Sequence, residues 1–160
     1  MTLQFLLLVF YTLLFLILAV IDLRYRLIPD RIIYPAIVVT LALVILMPSA
    51  GMPTFSNSLI GSLAMFIPFY LIALFGQGGI GWGDVKMATL VGLITGFPAI
   101  IVAFLSTSIS GGVAAGYLLS KQKGKIKTLP LAPFLSLGAI VALYWGDNLV
   151  QWYLEFGWLF

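Results

Sequence analysis

The chain has 160 residues, of which 62% are hydrophobic and only 8% are charged, with a mean hydropathy of +1.18. Because an ordinary soluble domain carries about 25% charged residues, this composition excludes a water-soluble fold and predicts a single all-α membrane domain over residues 1–160. The sequence contains no cysteine and no histidine. We therefore expect no metal and no cofactor, and any catalysis has to use carboxylates, lysines, hydroxyl groups or the backbone.

Six apolar segments follow one another along the chain. The first, residues 3–21, is uninterrupted, and at about 1.5 Å per residue it is long enough to cross a hydrocarbon core of roughly 30 Å. The others cover residues 32–47, 59–75, 85–95, 99–119 and 129–145. This pattern predicts about six transmembrane helices, with a Pro/Gly/Ser-rich loop at residues 48–58 and an aromatic tail, residues 146–160, at the level of the lipid headgroups.

The basic residues indicate the orientation, since a six-helix path places all of them on one side of the membrane. They are Arg24, Arg26, Arg31, Lys86, Lys121, Lys123, Lys125 and Lys127. The opposite connections, residues 48–58 and 96–98, contain no Lys or Arg. By the positive-inside rule, the basic side is cytoplasmic. We therefore expect a multi-pass protein of the inner (cytoplasmic) membrane with both termini outside.

Two of the five acidic residues lie where predicted helices meet this basic side. Asp22 follows the first apolar segment, and Asp84 precedes the fourth. A charge near the centre of a membrane helix costs about 2.5 to 3.5 kcal/mol, so acids at a membrane boundary suggest a function. Two facing carboxylates can share one proton, and one of them can then activate water while the other donates to a scissile carbonyl.

Simpler explanations exist for every acid. From position alone, Asp22 is more often a solvated boundary residue, and Asp84 is more often the N-cap of the following helix. Asp30 is a candidate cap for the second helix, and we expect Asp147 and Glu155 only to solvate the exterior surface. Position therefore leaves both interpretations of the pair open.

Glycine is concentrated directly before Asp84. Residues 76–83 contain five glycines, more than a connecting turn needs. Glycine allows a second backbone to approach closely, as an extended peptide must if it is cut beside a carboxylate. A flexible loop or tight helix packing would also explain the pattern, but a nucleotide-binding loop is disfavoured because no strand precedes the segment.

Three segments, residues 22–30, 81–86 and 129–138, resemble the signatures of the type IV prepilin peptidases. The first is Asp22 followed by Pro29-Asp30, seven and eight positions later. The second, Gly81-Trp-Gly83-Asp84 with the trailing Lys86, resembles the G-x-G-D segment of that family. The third, residues 129–138, is similar to the Pro-x-x-Pro-Phe segment that precedes the last helix of the family. The three signatures occur in order over most of residues 15–145.

The resemblance implies an endopeptidase that removes a basic leader from pilin-like precursors at the cytoplasmic membrane face. The catalytic positions carry over to Asp22 and Asp84, and we expect substrate contacts from Gly81, Gly83, Asp30 and Lys86. The implied partners are pilin-like precursor proteins and the lipid bilayer, with no nucleic acid. We expect anionic lipid and the unpaired acids Asp22, Asp30 and Asp84, rather than an acidic patch, to hold the leader.

The chain also departs from the larger members of that family. Those members carry an N-terminal four-cysteine zinc region that is tied to methylation of the new N-terminus, whereas this sequence has no cysteine. It therefore resembles the short forms, and we expect no methyl transfer.

Other classes remain as alternatives. A small proton- or cation-coupled transporter component also uses polar breaks and paired acids, but it predicts acids at mid-depth inside helices. A presenilin-like protease would share Gly-x-Gly-Asp but not the segment from Asp22 to Asp30, and a degenerate assembly scaffold would not need both acids.

Overall fold

The computed structural model describes residues 2–47, 51–75, 80–121 and 130–157, and the regular elements in these ranges are all α-helices. They are α1 (Thr2–Tyr25), α2 (Asp30–Leu46), α3 (Phe55–Phe75), α4 (Trp82–Thr95), α5 (Ile100–Lys121) and α6 (Ala132–Gly157). Four of them, α1, α3, α5 and α6, are long and apolar enough to cross a membrane. The predicted all-α membrane fold is confirmed.

The two other helices are shorter than a bilayer core. At about 1.5 Å per residue, the 17 residues of α2 and the 14 of α4 reach about 26 and 21 Å, against roughly 30 Å of hydrocarbon. Helix α4 packs against α2, α3, α5 and α6, and nine of its 14 residues are buried. A helix surrounded by protein need not match the thickness of the lipid. The count of six spans and the side of the termini stay predictions.

Two helix ends lie beyond the predicted limits. Helix α1 continues to Tyr25, so that Asp22 lies in its last turns rather than after it. Helix α6 continues to Gly157, so that Asp147 and Glu155, which lie in the predicted aromatic tail, are helical. Hydropathy marks where lipid contact ends, whereas a helix ends where its backbone hydrogen bonds end.

Close glycine contacts hold α4 at the centre. A Cβ atom added to Gly61 of α3 would lie 2.5 Å from the carbonyl oxygen of Gly92 in α4, so the two backbones touch at this crossing. Small residues allow this approach between membrane helices, where packing replaces the hydrophobic effect. The crossing fixes the position of α4 and therefore of its first turn.

The end of α1 lies beside the starts of α2, α4 and α6. Helices α1 and α6 are antiparallel, since Ala132 contacts Asp22 and the hydroxyl of Ser136 donates to the carbonyl of Phe15 over 2.8 Å. We call this end of the bundle, where the chain enters α2, α4 and α6, the site end. It contains both acids selected from the sequence.

Candidate active site

A cavity of about 610 Å³ opens at the site end. Its wall combines the end of α1, the connection to α2 and the first turn of α4; the lining residues are Asp22, Arg26, Leu27, Ile28, Pro29, Asp30, Arg31, Gly81, Trp82, Gly83, Asp84 and Lys86. All six residues selected from the sequence are among them. The fold thus brings the first and second signatures together around one space.

Helix α1 ends at this cavity through an unusual backbone conformation. Arg26 has a φ of 52°, in the left-handed region, and its N–H still donates to the carbonyl of Asp22 over 2.8 Å. For a residue other than glycine this conformation costs about 1 to 2 kcal/mol. The reversal stops the helix directly after the turn that carries Asp22 and leads the chain along the cavity wall.

Asp22 is buried and bonded to the start of a distant helix. Asp22 is only 5% exposed, and its Oδ2 accepts a hydrogen bond from the backbone N–H of Ala132 over 3.1 Å. Ala132 is the first residue of α6, and the first N–H groups of a helix have no partner within it. Asp22 supplies that partner, so the third signature meets the first at this bond.

Asp84 is bonded to the start of its own helix. It is the third residue of α4, and its Oδ2 accepts a hydrogen bond from the N–H of Gly81 over 3.2 Å. The N-cap is Gly81 rather than Asp84, which instead occupies the acidic position of a capping arrangement. An ionised carboxylate has two oxygens and several acceptor sites, so this bond is compatible with chemistry at the same group.

The surroundings of Asp84 favour its neutral form. Burial raises the pKa of Asp84 to about 6, the nearby charge of Asp22 adds to the rise, and the Gly81 N–H opposes it. A carboxyl group with this pKa still carries its proton in roughly a tenth of molecules at pH 7, against less than a hundredth for an unperturbed aspartic acid. Asp84 therefore keeps its proton at a higher pH than an ordinary aspartic acid, and is half protonated near pH 6.

The two glycines of the second signature do different things. A Cβ atom on Gly83 would lie 2.9 Å from the Cβ of Ile28, a buried residue between α1 and α2. Gly83 is therefore required for packing, because Ile28 occupies the space that a side chain at position 83 would need. A Cβ atom on Gly81 would meet Asp84 Oδ2 at 3.4 Å, an ordinary contact, and Gly81 is exposed. Gly76, Gly78 and Gly79 lie outside the described residues.

Asp30 and Lys86 form an ion pair across the cavity rim. The Nζ of Lys86 donates to Asp30 Oδ1 over 2.6 Å and lies 4.6 Å from the ring centroid of Tyr34. The expectation that Asp30 is unpaired is therefore wrong. Asp30 also makes no side-chain bond that caps α2, since the N-cap position is Pro29. The pair joins the first residue of α2 to the fifth residue of α4.

Sequence reasoning missed two residues that shape the site. Ala132 contributes only a backbone N–H, and Ile28 contributes only apolar bulk, so neither has a side chain that suggests chemistry. The third signature was the available signal for Ala132, since it pointed to the start of the last helix.

No group of three or more acidic side chains suitable for a metal ion is found within the described ranges.

Comparison with known proteins gives a consistent set of relatives. The chain is 29% identical over 143 residues to the prepilin leader peptidase/N-methyltransferase of Bacillus subtilis (strain 168). The matched region covers 89% of this chain and 56% of that relative. Proteins of the same name from Aeromonas hydrophila and Stutzerimonas stutzeri are each 30% identical, over 140 and 145 residues, covering 84% and 86% of this chain and 47% and 49% of the relatives.

The chain thus spans about half the length of the curated relatives it matches. No solved structure matches it. The family model for the type IV leader peptidase family matches residues 8–116, more than half of the chain, and this range contains Asp22 and Asp84. The chain therefore belongs to the type IV leader peptidase family.

Proposed function

We propose that this protein is an aspartic endopeptidase that removes the basic leader peptide from pilin-like precursors, with Asp22 and Asp84 as its catalytic pair. The observation that carries the proposal is the meeting of these two carboxylates at one cavity, each held by a backbone N–H at a helix start. The substrate class follows from the family and from relatives that are named prepilin leader peptidases.

The chemistry needs one proton shared by the pair. The ionised carboxylate takes a proton from water while the water oxygen attacks the scissile carbonyl carbon, and the protonated partner donates to the carbonyl oxygen. The tetrahedral intermediate then collapses: the C–N bond breaks, and the leaving nitrogen takes a proton from the first carboxyl group. As the carbonyl re-forms, a hydroxyl of the intermediate returns its proton to the second carboxylate. One water molecule is consumed, and the pair returns to its starting state with one proton.

The charges at the cavity bear on how the leader is held. Asp30 is paired with Lys86, so its charge is less available to a basic leader than the sequence suggested. Arg26 and Arg31 also line the cavity. The anionic lipid surface binds each basic residue with about 1 kcal/mol, and it therefore supplies most of the attraction for the basic leader. Asp22 and Asp84 act at the bond that is cut.

The alternative of a transporter component has less support. Asp22 and Asp84 lie at the ends of helices and on one side of the bundle rather than at mid-depth, and the relatives carry peptidase names. The cytoplasmic position of the site end is part of the proposal. Reporter fusions at Lys123 should read as cytoplasmic and fusions near Ser56 as exterior.

The direct test uses the purified chain in anionic bilayers with a precursor that has a basic leader, a glycine and an apolar segment. We expect a shorter product on a gel, with the new N-terminus defined by mass spectrometry and with the same yield in EDTA. A precursor that stays intact, or activity that EDTA removes and zinc restores, would refute an aspartic leader peptidase.

A further inference from the structure

The carboxylate of Asp22 is held by a donor 110 positions away in the chain. We propose that the backbone N–H of Ala132 is a positioning group for catalysis, which makes the start of α6 part of the active site. The inference rests on the proposed function, because it assigns to this N–H the task of aiming Asp22 at the attacking water.

The N–H of Ala132 has no competing partner within α6. Among the first residues of the helix, Pro133 has no N–H, and Phe134 and Leu135 both donate to the carbonyl of Leu131 over 3.1 Å. Ala132 is fully buried, so water does not replace Asp22 as its acceptor. Loss of the bond would leave a buried carboxylate without this donor, and the carboxylate would be free to turn.

The donor is also rigid. A backbone N–H cannot change rotamer, and a second bond along the same interface, from the Ser136 hydroxyl to the Phe15 carbonyl over 2.8 Å, fixes how α6 lies against α1. Ser136 is one helical turn after Ala132, and Phe15 is about two turns before Asp22. A donor preorganised in this way orients a reacting group without reorganisation during the reaction.

The start of α6 also carries partial positive charge, because its backbone dipoles align along 26 residues. Together with the hydrogen bond, this favours the ionised form of the acceptor. The contact therefore affects both the orientation of Asp22 and the pH range in which the pair works. A contact that only capped α6 would affect the stability of the helix and the charge of Asp22, but its loss would leave kcat at the optimum pH unchanged.

The substitution Ala132→Pro removes the N–H at a position where proline is well tolerated, the first residue of a helix. Ala132→Val is the matched control, since valine adds the same number of side-chain carbons as proline but keeps the N–H. We expect Ala132→Pro to lower kcat by about 10- to 100-fold with KM nearly unchanged, as for a misplaced catalytic group. The acid limb of its pH profile should move to higher pH, while Ala132→Val keeps the limb of the wild type.

A second variant avoids the added bulk. Replacing Ala132 by its α-hydroxy acid analogue exchanges the N–H for an ester oxygen and leaves the side chain unchanged, and we expect the same loss of kcat and the same shift of the acid limb. A wild-type kcat and pH profile in this variant would overturn the inference, as would equal changes in Ala132→Pro and Ala132→Val. An inactive wild-type enzyme would instead count against the proposed function.

Discussion

The two ends of the central helices offer a direct comparison. At the site end, the cavity of about 610 Å³ is lined by Asp22, Asp30 and Asp84. At the opposite end, where α1 begins and α4 ends, a cavity of about 310 Å³ is lined by Gln4, Tyr11, Thr95 and Asp147 among others. Both cavities contain polar groups and an acid at a helix surface, but only the first has carboxylates from different helices around one space.

The direction of the helices explains this difference. Helices α2, α4 and α6 all begin at the site end, and a helix start offers free N–H groups and partial positive charge. Asp22 and Asp84 each accept one of these N–H groups. Asp147 is exposed on α6, far from the start of that helix. A carboxylate at the end of the bundle therefore indicates a site when helix starts and a second carboxylate converge on it.

The largest expected effect is the loss of cleavage when an aspartate at the site end, but not one at the opposite end, is replaced by asparagine. Asp22→Asn and Asp84→Asn should each lower cleavage more than about 1000-fold, and the double variant should be no worse than either, since groups that act as a unit are not additive. An amide cannot take a proton from water or ionise in turn. Asp147→Asn, the same change at the far end, should cleave like the wild type.

The measurement is cleavage of a precursor at matched levels of each variant in membranes. More than a tenth of wild-type activity in Asp22→Asn or Asp84→Asn would exclude the pair as the catalytic machinery. Equal loss in Asp147→Asn would show that the assay reports general damage rather than the site end.

The pH dependence tests the shared proton. Because the pKa of Asp84 is raised to about 6, kcat/KM of the free enzyme should fall on the alkaline side, approaching tenfold per pH unit well above that pKa. The folded state binds this proton more tightly than the unfolded state does. The free energy of unfolding should therefore fall as pH rises from about 4 through 6.

Removing the neighbouring charge sharpens this test. In Asp22→Asn the pKa of Asp84 should fall, because the charge of Asp22 contributes to its rise, but burial should keep it above the ordinary value. Carbon NMR of labelled aspartate carboxyl groups can follow this, since the chain has only four aspartates. The pKa of Asp84 should be unchanged in Asp147→Asn. An unchanged pKa in Asp22→Asn would show that the two acids are not coupled.

Substitution of Gly83 in the second signature should have an intermediate effect on stability and cleavage. Gly83→Ala forces the first turn of α4 away from Ile28, and overpacking of this kind typically costs 1 to about 3 kcal/mol. We expect lower thermal stability in detergent and roughly tenfold less cleavage, because a shift of Asp84 by a fraction of an ångström weakens its alignment. Gly81→Ala, two residues away, should change stability little. Equal effects of the two variants would contradict the packing role of Gly83.

The helical membrane fold could be predicted from local properties, and Asp22 and Asp84 could be selected as candidates from their position and from the segments that carry them. Apolar length marks the helices, and acids are so scarce in this chain that their positions stand out. The N–H of Ala132 at Asp22 and the contact of Gly83 with Ile28 could not be predicted, since they depend on how separate helices cross. The pairing of Lys86 with Asp30 depends on the same crossing, and charge alone did not identify the partner of Lys86.

The smallest expected effect concerns this ion pair at the cavity rim. The side chains of Lys86 and Asp30 are 25% and 59% exposed, and a pair with this much access to water contributes little to stability because the solvent screens the attraction. Asp30→Asn and Lys86→Met should therefore reduce cleavage only about two- to fivefold. The stability lost in the double variant should be less than the sum of the two single losses, by the energy of the pair.

A double-mutant cycle on thermal stability and on cleavage measures this coupling, and the reversed pair Asp30→Lys with Lys86→Asp should recover part of what each reversal loses alone. Additive losses would show that the bond between Lys86 and Asp30 carries no energy. An inactive Asp30→Asn beside an active Asp22→Asn would mean that Asp30, rather than Asp22, is the partner of Asp84. In that case, the site end would keep its cavity and its helix starts, but the reacting pair would lie across α2 and α4 instead of α1 and α4.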